Sequence, residues 1–231
     1  MKFLNTILEM VFPAKCIACG QSGSDLCWRC LSNLKAAERE SENWIFPFYD
    51  YRDPPIKKAL WLFKYSGKKR LASVFAEAIY DKILEELSDL STMQNFRNPV
   101  LIPIPLSRKR YRERGYNQAE LICKELIRIH ITASPSPWQG EGGQRLDEIL
   151  TLETNVLVKP KDTEHQARIK DRRLRLKNLA GSFSIKNLES IKGRNIILID
   201  DITTTGATLN EAKKALKKAG ARKVIAFTVA H

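Results

Sequence analysis

Apolar positions recur along this chain with two spacings, and the switch between them outlines its elements. Phe3, Ile7, Leu8, Val11 and Phe12 fall at helical spacing. They predict a short amphipathic helix packed on the body of the protein, with transient membrane or partner contact as the other reading. After a cysteine-rich stretch, a polar, helix-like linker runs to about Asn43. The aromatic stretch from Trp44 to Tyr51 has strand character and stops at Asp53-Pro54-Pro55. Helices are predicted from Ile56 to Tyr65 and from Leu71 to Leu90, separated by Ser66-Gly67. The second repeats apolar residues at Leu71, Val74, Phe75, Ala78, Ile79, Ile83 and Leu87.

Beyond Asn98-Pro99 the periods alternate. A strand from Val100 to Ile104 leads through a basic loop to a helix from Asn117 to Ile131. A strand from Val156 to Val158 and a basic stretch precede strands from Gly181 to Ile185 and from Asn195 to Ile199. A helix from Leu209 to Lys218 and a strand from Val224 to Val229 complete the series. Such alternation implies an α/β fold, a parallel sheet flanked by helices. Residues 132–150 break the pattern: Ser134-Pro135-Ser136-Pro137-Trp138-Gln139-Gly140 has neither period nor apolar face and reads as a flexible surface insertion.

Composition narrows the class. With 231 residues, 43% hydrophobic and 28% charged, the chain can bury a full core, which excludes both disorder and a disulfide-stapled miniature. No apolar run approaches the roughly 18 residues of a membrane span. The opening stretch holds Glu9 and no small-residue cleavage site, so a cytoplasmic protein without a signal peptide is expected. Thirty-nine Lys and Arg against 26 Asp and Glu leave a net charge of +13, which calls for a partner that carries phosphates. The field alone does not separate DNA, RNA, acidic lipid and a phosphorylated metabolite.

Four of the five cysteines form two clipped turns, Cys16-Ile17-Ala18-Cys19 and Cys27-Trp28-Arg29-Cys30. Each CxxC turn aims two thiolates at one point, and two such turns supply the soft ligands of a closed tetrahedral zinc site. Disulfides or a redox CxxC are weaker readings, because nothing marks the chain as secreted and no strand precedes either pair. With no ligand position open, the metal would be structural, holding together about 35 residues that lack a core of their own. Cys123, within an apolar helical run, reads as a packing residue.

The sharpest chemistry lies in Asn195-Ile196-Ile197-Leu198-Ile199-Asp200-Asp201-Ile202-Thr203-Thr204-Thr205-Gly206-Ala207-Thr208, followed by an amphipathic helix. An apolar strand delivers two carboxylates at its carboxyl end, where ligands of open α/β sheets bind. The segment Thr203-Thr204-Thr205-Gly206-Ala207-Thr208 then offers amides and hydroxyls at a helix N-terminus, whose partial positive charge favours an anion. A sugar phosphate reconciles carboxylates with a phosphate cup, since Asp200 and Asp201 can accept from ribose hydroxyls while the Thr loop holds the 5'-phosphate. No GxxxxGK[ST] or GxGxxG sequence offers a nucleotide-loop alternative.

The segment Ile197 to Thr208 resembles the signature of type I phosphoribosyltransferases, which bind 5-phosphoribosyl 1-pyrophosphate (PRPP). Taken with the four-cysteine knuckle, Ile102-Pro103-Ile104-Pro105-Leu106, Arg114-Gly115-Tyr116-Asn117-Gln118 and Asp162-Thr163 followed by Gln166, the chain is similar to the ComF family of competence and DNA-uptake proteins. The resemblance implies a four-cysteine zinc finger with its helix over residues 1–35 and a phosphoribosyltransferase-like domain over residues 44–231. It places Asp200 and Asp201 at the ribose and Thr203 to Thr208 at the 5'-phosphate, and it puts a pyrophosphate loop after the strand Val100 to Ile104. The five cations of that loop, Arg108, Lys109, Arg110, Arg112 and Arg114, suit a departing diphosphate, Arg108, Arg112 and Arg114 foremost, with Mg2+ bridging ligand oxygens. No general base is visible.

Three basic runs carry the excess charge: Lys57 to Arg70 with Trp61, Phe63 and Tyr65, Arg108 to Arg114 with Tyr111, and Arg168 to Lys177. Cations interleaved with aromatics suit single-stranded DNA. Trp61 and Tyr65, at i and i+4, are nevertheless expected in the core, and Arg168 to Lys177 also reads as a solvated helix or an active-site cover. Two functions follow. One is a ComF-like protein of DNA uptake that binds PRPP, with single-stranded DNA or an uptake helicase as partner; the other is a purine or pyrimidine salvage phosphoribosyltransferase.

Overall fold

The computed structural model describes residues 13–38, 42–133, 150–160 and 181–231. In chain order the elements are α1 (Trp28–Ser32), β1 (Ile45–Tyr49), α2 (Pro54–Tyr65), α3 (Leu71–Gln94), β2 (Val100–Pro103), α4 (Arg108–Arg114), α5 (Gln118–Ala133), β3 (Thr151–Leu152), β4 (Leu157–Val158), β5 (Ser184–Ile185), β6 (Asn195–Ile202), α6 (Ala207–Lys218) and β7 (Lys223–Ala230). Five strands form one all-parallel sheet in the order β1-β7-β6-β2-β3.

The sheet is covered on both faces, and the two-residue period of β6 shows how. Ile197 and Ile199 enter a core built with Leu60 and Phe63 of α2, Phe75 and Ile79 of α3, and Ile122 and Leu126 of α5. Ile196 and Leu198 enter the opposite core, against Leu209, Ala212 and Leu216 of α6. The central strands are therefore continuous runs of Ile, Leu, Val and Phe rather than alternating ones. This three-layer arrangement is the parallel α/β fold expected from the alternation.

Several elements differ from expectation, each for a physical reason. The segments around Val156 and Gly181 do not join the parallel sheet. Leu157 pairs with Ile185 and Val158 with Ser184 in a separate antiparallel ribbon, while β3 takes the edge beside β2. Burial of Val156, Leu157 and Phe183 gives these segments their strand-like pattern, but burial carries no information about pairing direction.

The expected basic loop is the helix α4. Ser107 Oγ accepts from the Arg110 amide at 3.4 Å and Gly115, at φ +74°, stops the helix. The expected helical linker is extended where described: Ala37 N donates to Phe48 O at 3.0 Å and Ala36 bridges Tyr49. Trp61 and Tyr65 are 54% and 58% exposed and lean on each other at 5.9 Å, because α2 buries the stripe of Ile56, Ala59, Leu60 and Phe63 instead. The expected helix Phe3 to Phe12, residues 134–149 of the insertion and the run Arg168 to Lys177 lie outside the described residues.

Candidate functional site

A pocket opens at the carboxyl ends of β2 and β6, where the connections from the two neighbouring strands leave on opposite faces of the sheet. β2 runs beside β6 only as far as the Pro103–Ile199 pair and the bond from Ile104 N to Ile199 O at 2.9 Å. The chain then leaves β2 for α5 on one face and β6 for α6 on the other, so a crevice forms at the carboxyl ends of the two strands. Asp200 and Asp201 sit at that crevice. They face a cavity of about 350 Å³ together with Thr204, Thr208, Arg110 and Arg114.

The Thr loop is held from three sides. Thr203 N donates to Ala230 O at 3.0 Å, and His231 Nε2 donates to the Thr204 carbonyl at 3.0 Å. Gly206 caps α6 at φ +66°. The backbone there favours glycine, and a Cβ would sit 3.1 Å from Ile45 Cδ1, which would have to give by a few tenths of an ångström. Asn210 on the first turn of α6 donates to Glu42 Oε1 at 2.8 Å, and the Glu42 Oε2 atom accepts from Trp44 Nε1 at 2.6 Å.

Opposite the loop, Asn117 ties α5 to the end of β2. Its amide donates to Ile104 O at 3.0 Å while its carbonyl accepts from Ala119 N at 3.1 Å, capping the helix. Arg114 donates to Gln118 Oε1 at 2.9 Å and lies over the Tyr65 ring at 5.4 Å.

Two lysines balance the carboxylates. Lys64 Nζ is 2.9 Å from Asp201 Oδ1, with side chains only 14% and 7% exposed. Lys159, 8% exposed, lines the same cavity with its ammonium 5.3 Å from the Phe183 ring centre. Burial, and then the neighbouring Asp201 charge, raise the Asp200 carboxyl to about 7, against the pull of Lys64, the Asp201 amide and Lys159. The charge of Asp201 beside it disfavours a charged Asp200, and the ion pair with Lys64 falls on Asp201.

Of the expected site residues, the structure brings Asp200, Asp201, Thr204, Thr208 and Arg114 to the cavity wall. Thr203, Thr205, Gly206 and Ala207 shape the loop and the start of α6 without lining it. Arg108 and Arg112 do not reach it. They line a separate surface cavity of about 610 Å³ with Leu106 and Tyr111. On a helix, residues 110 and 114 share one face and residues 108 and 112 another, a sorting that a loop would not impose. The sequence counts Arg110, which lines the cavity, among the cations of the pyrophosphate loop, but it holds Lys64 and Tyr65 only within a basic run for a polyanion and does not mark Lys159 for the pocket.

At the front of the chain the sulfurs of Cys16, Cys19, Cys27 and Cys30 lie within 4.8 Å of one another, a group that can hold a metal ion. Burial works to raise the Cys16 thiol, but the amides of Cys19, Cys27 and Ala18 outweigh it and bring it down to about 6. The knuckle docks on the body through Asp25, 3% exposed, which pairs with Lys68 at 3.1 Å and Arg70 at 3.4 Å. Ile17 and Leu34 pack against the larger core. Cys123 is fully buried, and burial pushes its thiol well up, as befits a packing residue.

Among the described residues no helix is long and apolar enough to cross a membrane. The family model for the phosphoribosyl transferase domain matches residues 137–231, which contain β6, the Thr loop and α6. Competence protein ComFC of Bacillus subtilis (strain 168) is 34% identical over 182 residues, 78% of this chain and 61% of that protein. Competence protein F of Haemophilus influenzae is 30% identical over 212 residues, 89% of this chain and 81% of that protein. DNA utilization protein YhgH of Escherichia coli (strain K12) is 27% identical over 199 residues, 86% of this chain and 74% of that protein. Knuckle, parallel sheet and sequence likeness agree: the chain belongs to the ComF family.

Proposed function

We propose that the pocket binds PRPP or a related ribose 5-phosphate with Mg2+, and that the protein serves DNA uptake, with single-stranded DNA and an uptake helicase as partners. One observation carries the reading: Asp200 and Asp201 face the same cavity as Thr204 and Thr208 at the start of α6 and Arg110 and Arg114 of α4. Carboxylates suit a vicinal diol, a hydroxyl-lined helix start suits a monophosphate, and paired guanidinia suit a diphosphate. These three chemistries occur together in a phosphoribosyl diphosphate. Mg2+ bound with the ligand would supply charge neutralisation for a departing diphosphate.

The four thiols suit Zn2+ in a closed structural site, since soft sulfur donors at this spacing match its preference. Contact with single-stranded DNA is supported by the outward face of α4. There Arg108 and Arg112 flank the half-exposed Tyr111, so that phosphates meet cations while a base stacks. Trp61, exposed on α2, offers the same stacking chemistry.

Calorimetric titration of PRPP with Mg2+ tests the pocket, run beside the Asp200→Asn, Asp201→Asn double variant. Saturable binding to the native protein that disappears in the variant is expected. Absence of binding to both would remove the ribose-phosphate reading and leave DNA as the leading ligand.

A further inference from the structure

Three consecutive residues fix the end of α2 in the pocket wall. The Phe63 carbonyl accepts a hydrogen bond from the Tyr116 hydroxyl. The Tyr65 ring lies beneath the Arg114 guanidinium at 5.4 Å. Between them Lys64 turns inward and places its ammonium 2.9 Å from Asp201 Oδ1. This lysine comes from α2, distant along the chain from β6 and the Thr loop.

A lysine and a carboxylate this buried are tolerable only as a pair, because either one alone leaves an uncompensated charge out of water. A sugar hydroxyl and Lys64 would share the Asp201 carboxylate, and each donor that joins it draws on the charge that holds the other. When a diol takes Asp201, Lys64 needs another anion close by. Tyr65, the next residue, is under Arg114, and Arg110 and Arg114 share the cavity with Lys64. The ammonium therefore shares one cavity with the carboxylates and both guanidinia, a set of cations that a diphosphate on the anomeric carbon would meet together.

Resting on the ribose-phosphate reading of the pocket, we propose that Lys64 is an exchangeable counter-ion: it neutralises Asp201 before a ligand binds, and pairs with the diphosphate once Asp201 turns to the ribose hydroxyls. Lys64 thereby selects a ligand that brings diol and diphosphate together over one that brings the diol and 5'-phosphate alone. Because the cation comes from α2, this preference is set outside the strand, loop and helix that bind the rest of the sugar phosphate.

Two ligands and two variants test this. Affinities of PRPP and of ribose 5-phosphate, each with Mg2+, are measured by calorimetry on the native protein, Lys64→Met and Lys64→Arg. Lys64→Met should weaken PRPP on the order of tenfold and ribose 5-phosphate by less than about twofold, with Lys64→Arg recovering most of the loss. Equal losses for the two ligands, or none, overturn the proposal while leaving the pocket reading intact. Failure of the native protein to bind PRPP overturns both.

Should Lys64→Met not fold, the native protein decides the matter. After reductive methylation of lysines with labelled formaldehyde, the NMR signal absent from Lys64→Arg should move on saturation with PRPP and stay nearly still with ribose 5-phosphate. A signal that ignores bound PRPP rules the exchange out.

Discussion

Replacing Asp200 by Asn should stabilise the protein at neutral and alkaline pH, by an amount that follows a defined curve. Burial and the adjacent Asp201 lift this carboxyl from 3.8 to about 7 in the folded protein. The folded state therefore holds a proton at Asp200 that the unfolded chain has released, and stability falls as pH rises between those two values. Roughly three units at about 1.4 kcal/mol each make a cost of about 4 kcal/mol that is complete above pH 7. Asn has no charge to desolvate, and its Oδ1 can keep the bond from the Asp201 amide, 2.9 Å in the native protein. Thermal unfolding of the two proteins should coincide near pH 4, diverge up to pH 7 and differ by about 10 °C at pH 8, taking about 2–4 °C per kcal/mol for a chain of this length. The same variant should bind PRPP worse, so the carboxylate is kept at the expense of stability. A difference that does not change with pH, or an Asn variant less stable at pH 8, would refute the placement of Asp200 as a desolvated acid.

Other expectations follow from the same geometry. Cys16→Ser should lose bound zinc by elemental analysis and loosen the knuckle while far-ultraviolet dichroism keeps the signal of the parallel sheet; retained stoichiometric zinc would sink the metal assignment. Gly206→Ala, forced to φ +66° with its methyl 3.1 Å from Ile45 Cδ1, should cost about 1–2 kcal/mol in urea unfolding, and an unchanged midpoint would contradict the close approach. Affinity for single-stranded DNA should fall with salt, and Arg108→Ala with Arg112→Ala should flatten the logarithmic slope by about 0.7 each. A native slope near zero would exclude phosphate contacts.

What the sequence reveals about the site follows from how far apart its parts lie along the chain. Asp200, Asp201, Thr204 and Thr208 belong to one strand, loop and helix start, so their common chemistry is readable from adjacent letters. The apolar runs of β2, β6 and β7 are equally legible because both faces are buried. The cationic half of the pocket is not local. Lys64 comes from α2, Arg110 and Arg114 from α4 and Lys159 from beyond β4, and only the fold around the paired ends of β2 and β6 brings them to one crevice. Helical phase is equally hard to read: Trp61 and Phe63 stand two residues apart, yet one is exposed and the other fully buried.

The same limit changes what the charge of +13 means. Read as a string, Lys57 to Arg70 is one basic surface for a polyanion. The fold splits that run into separate roles. Lys64 neutralises Asp201 inside the pocket, Lys68 and Arg70 hold the knuckle through Asp25, and Lys57 and Lys58 remain on the outer face of α2. The run Arg108 to Arg114 divides as well, with Arg110 and Arg114 turned to the cavity and Arg108 and Arg112 to the surface. A cation committed to a buried carboxylate or to a bound diphosphate releases no counter-ion when DNA arrives. The surface open to a strand is therefore smaller than the composition suggests, and two anions, a small one inside and a long one outside, can be served by the same basic runs without competing for the same side chains.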